Sequence, residues 1–342
     1  MSRQHSAIIK GLAILLMLTY HLPRVVGPDG LPVPVQEFIA HAGNPVMYFL
    51  LVSGYGLYCA HHGGRLNWRY LARRTAKLYI AFWVVLAVFV MFFGLLFYPG
   101  WFSYDFKSVV LNLTGWRWDY CQYTWFLLPY VLMSLCSRWV FSCLEKLGAV
   151  IPILVSTVLT MGTTWLIARY YDSYLRSHQP VYLLVLTAQM SMGFTIGAAM
   201  ARHYLTGHRL TWGKLQGRNL PVVGLLIIAF LLRGMTATAV VPGFPVLVTW
   251  LVIHLNVTKI SDCIFVPLGN QSMMMWFCHG FIATKMFKPY FELLQWPLLV
   301  WLVWVLISYC VALVLMQVTE RIYGALKLSQ NLLDNQSKSI PS

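Results

Sequence analysis

Long uninterrupted apolar runs, separated by short polar connections, organise this chain. Ten runs of roughly the 17–25 residues that span a bilayer lie near 8–23, 43–60, 78–98, 122–141, 149–168, 181–201, 219–236, 238–255, 264–283 and 295–317. They are continuously apolar and do not alternate with a two-residue period, so they predict membrane helices and not barrel strands. The expected fold is all-α, a polytopic bundle of about ten transmembrane helices.

Composition agrees. Of 342 residues, 59% are hydrophobic and only 10% charged, whereas soluble domains carry roughly 25% charged residues. With the N-terminus inside, 17 of the 25 Lys and Arg residues fall on inner segments, which predicts both termini in the cytoplasm. The formal charge of +15 reflects that bias and attraction to anionic lipid, and gives no ground for a nucleic-acid partner. Residues 1–327 read as one integral membrane domain, and 328–342 as a polar, disordered tail. The first run lacks a small-x-small cleavage site and does not read as a removable signal peptide. Seven cysteines are scattered without a CxxC pair, so neither a disulfide framework nor a metal site is expected.

The first run starts at Lys10 and reaches His21 eleven residues later. An ionisable side chain inside a membrane segment is costly and points to function. At about 1.5 Å per residue, His21 lies roughly 16 Å from Lys10, in the middle to outer part of the membrane. A neutral imidazole there can take a proton from a hydroxyl nucleophile and return it to a leaving group, or it can simply bond a loop carbonyl. His279, late in the ninth run, is expected at similar depth, as a partner of His21 or as a packing histidine. Arg73, Arg74 and Lys77 share one helical face next to Arg65 and Arg69. Guanidinium and ammonium groups suit phosphate oxygens, although any inner loop collects cations.

Two outer loops complete the candidates. Trp116, Trp118 and Trp125 form either an interfacial aromatic belt or a sugar-stacking face. The loop that follows His21 carries Asp29 and Glu37. Small residues around Ser53 and Gly54 read as close helix packing, and no Gly-x-Ser-x-Gly elbow surrounds Ser53. All ten carboxylates fall in loops, span ends or the tail. Their absence from the middle of any span weighs against the chief rival reading, a transporter or flippase for a lipid-linked or anionic solute. No internal repeat supports that reading either.

Together these pieces resemble the acyltransferase-3 family of bacterial integral membrane O-acyltransferases. The family's Arg-Gly-Leu/Ile-Ala-Ile run ending in His is similar to Lys10-Gly11-Leu12-Ala13-Ile14 to His21, with the same spacing. Its Phe-Phe-x-x-Ser-Gly-Phe segment resembles Tyr48 to Tyr55, and its Arg-x-x-Arg resembles Arg74-Thr75-Ala76-Lys77. Its Trp-Phe-Leu element resembles Trp125-Phe126-Leu127 with Tyr130, and its Gly-x-x-Ser…His pattern resembles Gly269 to Ser272 and His279. The departures are Lys10 and Lys77 in place of arginines, Ala7 where many members have Asp, and Ile80 where a proline is common.

The resemblance implies acyl transfer, most simply of acetyl from acetyl-CoA, to a hydroxyl of an envelope glycan or lipid-linked saccharide. The expected setting is the bacterial inner membrane. In that scheme Lys10, Arg73, Arg74 and Lys77 hold the coenzyme phosphates. His21 acts as general base or transient acyl carrier, and His279 orients it or polarises the thioester. Glu37, Trp116, Trp118 and Trp125 contact the acceptor. Any esterase-like partner domain would be a separate protein.

Overall fold

The protein, described by a computed structural model, is built of helices with no strand among its described residues, which are 1–27, 30–42, 45–235, 243–294 and 296–328. Asp29 and the tail from Ser329 onward lie outside them. In chain order the principal helices are α1 (Arg3–Val26), α2 (Val33–Ala42), α3 (Pro45–His62), α4 (Trp68–Leu86), α5 (Phe106–Leu113), α6 (Leu127–Leu135) and α7 (Ser137–Leu147). They continue with α8 (Val150–Tyr170), α9 (Gln179–Gln189), α10 (Ser191–Leu205), α11 (Asn219–Met235), α12 (Gly243–Val252), α13 (Phe265–Phe281) and α14 (Pro297–Ala325). A π-helical turn, Ala87–Gly94, extends α4, and another, Ile282–Met286, extends α13 immediately beyond His279.

Every predicted apolar run contains helix, but five helical stretches among the described residues are long and apolar enough to cross a membrane. The bent pair formed by 122–135 and 137–147 raises that to six. Length and composition thus support five or six spans among the described residues, and the expected count of about ten is not confirmed. Among the described residues α11 covers 17 residues and α12 covers 10, and a 50° bend interrupts the fourth run.

Two devices set the long helices. Side-chain caps start them, Ser2 accepting from the His5 amide at the head of α1 and Asn67 accepting from the Tyr70 amide at the head of α4. Small residues then let the helices touch. A Cβ on Gly11 would stand 2.2 Å from the Phe265 carbonyl oxygen, and one on Gly269 would stand 1.9 Å from that of Ala7. Thus α1 and α13 meet backbone to backbone, as membrane helices do when dispersion and not water exclusion holds them. The same holds for α3 and α10, where a Cβ on Gly54 would meet the Phe194 oxygen at 2.0 Å. The packing role expected of Gly54 is what the structure shows. The largest core cluster lies where α1, α4, α13 and α14 converge, around Leu18, Phe82, Phe277 and Trp304.

Candidate active site

Lys10 and His21 lie on one unbroken helix, α1. Eleven residues are close to three turns of about 3.6 residues, so both point to the same side, and Met17 stands between them. This stripe joins two clusters, one at the end of the bundle where the chain begins and one towards the opposite end.

At the first end, three motif segments meet in a hydrogen-bonded knot. The Arg74 Nη2 donates to the Tyr130 hydroxyl at 2.6 Å and to the Ser53 Oγ at 3.3 Å, and the two hydroxyls lie 2.9 Å apart. Lys10 comes within electrostatic reach of Arg74 and Tyr130. Arg74 and Lys77 line one cavity of about 310 Å³ with Tyr70, Tyr130, Met273 and Glu320. The Lys77 ammonium is held over the Tyr323 ring, 5.1 Å from its centroid, and the Tyr323 hydroxyl donates to the Lys77 carbonyl at 2.6 Å. Arg73 does not line this cavity, and neither does Lys10.

At the other end, His21 and His279 stack, their ring centroids 5.7 Å apart and their planes at 20°. Tyr123 touches both, 4.6 Å from His21 and 4.8 Å from His279. It can do so because residue 280 is glycine; a Cβ there would fall 2.0 Å from the Tyr123 ring. The π-helical turn after Phe281 starts two residues beyond, a local irregularity that is common at functional sites.

His279 is fully buried. Its Nδ1 donates to the Trp276 carbonyl at 2.8 Å and to that of Met275 at 3.2 Å, which leaves Nε2 as the lone-pair acceptor of the neutral ring. That Nε2 and the His21 Nδ1 are buried without a protein partner. Buried nitrogens of this kind are costly unless something else uses them. No hydrogen bond joins the two rings, so the structure does not show His279 orienting His21 in that way. Polarising a carbonyl would require a proton on Nε2, whereas the backbone bonds place it on Nδ1.

His21 opens onto a second cavity of about 310 Å³, walled by Met17, Met47, Trp125, Phe126 and Trp276, with Thr160 and Gln189 at its polar side. Phe126, the residue just before α6, and Tyr130, one turn later on it, line the His21 cavity and the basic cavity respectively. A third cavity, of about 440 Å³, lies beyond Tyr123 and Gly280 and is bordered by Arg24, Gln122, Thr284 and Lys285. Cys121 also borders it, but burial pushes its thiol up to about 12, so it is no ready nucleophile at neutral pH.

A family model for an acyltransferase domain, acyltransferase 3, matches residues 7–321, nearly the whole chain. The chain belongs to the acyltransferase-3 family. Membership supports membrane acyltransferase activity, and with the apolar helices it supports a multi-pass membrane protein. No curated protein and no solved structure matches the chain.

Of the residues singled out in the sequence, His21, His279 and Trp125 come together, and so do Arg74 and Lys77. Trp116 and Trp118 do not reach the histidines. The Trp116 carbonyl accepts from Gln179 at 2.8 Å, and Trp118 packs on Tyr182, so both fasten the loop to α9. Glu37 is exposed on α2, away from the three cavities. Tyr123 and the cations Arg24 and Lys285 were not foreseen. Tyr123 sits in an aromatic stretch where nothing in the sequence separates a working ring from an interfacial one, although Gly280 beside His279 was a signal of close approach.

Proposed function

We propose that the chain transfers an acyl group, acetyl from acetyl-CoA, to a hydroxyl of an envelope glycan or lipid-linked saccharide at the outer face of the bacterial inner membrane. The observation that carries this reading is the pair of unpartnered imidazole nitrogens on His21 and His279, set about three turns of α1 above the basic cavity of Arg74 and Lys77.

In this reading Arg74 and Lys77 hold donor phosphates at the cytoplasmic side, with Lys10 adding charge from beside them. The extended arm of the donor passes Tyr130 and Phe126 and brings its thioester into the cavity below His21. His21 takes the proton of the acceptor hydroxyl as its oxygen attacks the thioester carbonyl carbon. The tetrahedral intermediate then collapses, the carbon–sulfur bond breaks, and the thiolate leaves with the proton carried by the imidazole. His279 supplies a second proton acceptor beside the first. The apolar walls of Met17, Met47 and Trp276 keep water from hydrolysing the thioester.

The test is transfer of labelled acetyl from acetyl-CoA by protein reconstituted in lipid, with envelope saccharide as acceptor. Label recovered in ester linkage to the saccharide supports the reading. An unchanged donor, with protein whose melting acetyl-CoA leaves untouched, contradicts it, because a specific ligand of the native state raises its stability.

A further inference from the structure

The outer cavity has a chemistry that the histidine pair does not explain. Two cations border it, Arg24 at the end of α1 and Lys285 in the π-helical turn after α13. Its one carboxylate, Asp119, is already engaged by Arg117 at 3.2 Å. Among the described residues Lys285 has no carboxylate within ion-pair distance. Its ammonium is steered instead by aromatic rings, 4.1 Å from the Phe102 centroid and 5.3 Å from that of Trp101. A half-buried lysine fixed by ring faces keeps its donors free for a ligand. Arg24 lies near the Tyr123 hydroxyl and stands across the same space. The cavity therefore presents a net positive, donor-rich wall with Gln122 and Thr284 as neutral hydrogen-bonding groups. Its floor, Tyr123 and Gly280, is one ring thick above His279.

We propose that this cavity binds the acyl acceptor through an anionic group, so that the acceptor is an acidic saccharide whose carboxylate or phosphate sits between Arg24 and Lys285. The placement of the hydroxyl next to the histidines rests on the acyltransferase reading; the anion site itself does not. Trp101, part-exposed and stacked on Tyr98 at 3.9 Å, stands beside Lys285. A neutral sugar would leave both cations unpaired in a partly desolvated site, and that difference confers selectivity.

The experiment is binding without any acyl donor, by titration calorimetry on protein in phosphatidylcholine nanodiscs. The probes are a galacturonic acid trisaccharide and its carboxyl-reduced, neutral counterpart. The acidic probe should bind at least about tenfold more tightly, a preference that weakens with salt. Lys285→Gln should bring the acidic probe down to the neutral one while leaving the neutral one unchanged, and Lys285→Arg should restore the preference. Equal binding of the two probes overturns the proposal, as does no binding of the acidic probe by protein that melts cooperatively. Loss of the preference when phosphatidylglycerol is added to the nanodisc also overturns it, because the site then belongs to lipid headgroups. If the preference holds but no acetyl is ever transferred, the acyltransferase reading fails and the anion site stands. If acidic and neutral acceptors are acetylated equally, the reading stands and the anion site fails.

Discussion

The imidazoles of His21 and His279 lie nearly parallel, 5.7 Å between centroids, although they come from helices at opposite ends of the sequence. The backbone bonds from the His279 Nδ1 fix the neutral ring so that its Nε2 offers a lone pair. His279 is thus built to accept a proton or a hydrogen bond and not to donate one.

His279→Gln retains much of the volume but changes the position of the acceptor. Its kcat should fall at least about tenfold with the KM for acetyl-CoA nearly unchanged, since the residue lies away from the basic cavity. His279→Ala should add a fold defect of about 2–4 kcal/mol, visible in a denaturation midpoint, because it empties a fully buried site beneath Trp304. A Gln variant with wild-type kcat would show that His279 only packs.

Gly280 and Gly11 separate position from packing. Gly280→Ala pushes on the Tyr123 ring, so it should cost transfer activity at least about tenfold with a small change in melting. Gly11→Ala pushes on the Phe265 backbone and should destabilise by about 1–3 kcal/mol. Thermal melts in nanodiscs beside transfer rates distinguish the two, and the reverse pattern would contradict the assignment.

Much of this was legible in the chain. The apolar runs foretold an all-helical bundle, and the Lys10 to His21 spacing foretold two side chains on one side of one helix. Where a run bends, as at residues 135–137, was not legible, because hydropathy carries no signal for it. The basic cluster read as one face, yet only Arg74 and Lys77 enter the cavity; Arg73 is one position off it. Ser53 read as a packing residue, and Tyr130 entered only through the family resemblance, until tertiary contact with Arg74 joined them. The tryptophans show the same limit: Trp125 lines the His21 cavity, whereas Trp116 and Trp118 anchor a loop.

Arg74 reaches both hydroxyls from one nitrogen, Nη2, which leaves the other donors of its planar fork for a phosphate, an arrangement that the shorter, single-headed ammonium of lysine does not reproduce. Arg74→Lys should therefore raise the KM for acetyl-CoA about tenfold and leave kcat within a few-fold. Tyr130→Phe should reproduce part of the effect by freeing the guanidinium. An unchanged KM in both would remove Arg74 from donor binding.

Asp105 caps α5 by accepting from the Ser108 amide at 2.9 Å, and the Ser103 hydroxyl donates to it at 2.5 Å. The Ser103 and Ser108 hydrogen bonds hold its carboxyl well below the usual carboxylate range. A depressed folded pKa means that the cap contributes above the unfolded value and is lost as pH falls below it. Asp105→Ala should therefore melt lower than wild type at neutral pH, and the gap should close as pH is lowered through the acid range. A gap that does not change with pH would contradict an ionised cap.

The most direct measurement is the rate of acetyl transfer by His21→Ala in reconstituted protein whose melting matches wild type. General-base catalysis by His21 predicts a fall of about 10²–10⁴-fold, with the donor KM nearly unchanged. A rate within a few-fold of wild type would place the chemistry elsewhere and contradict the central claim.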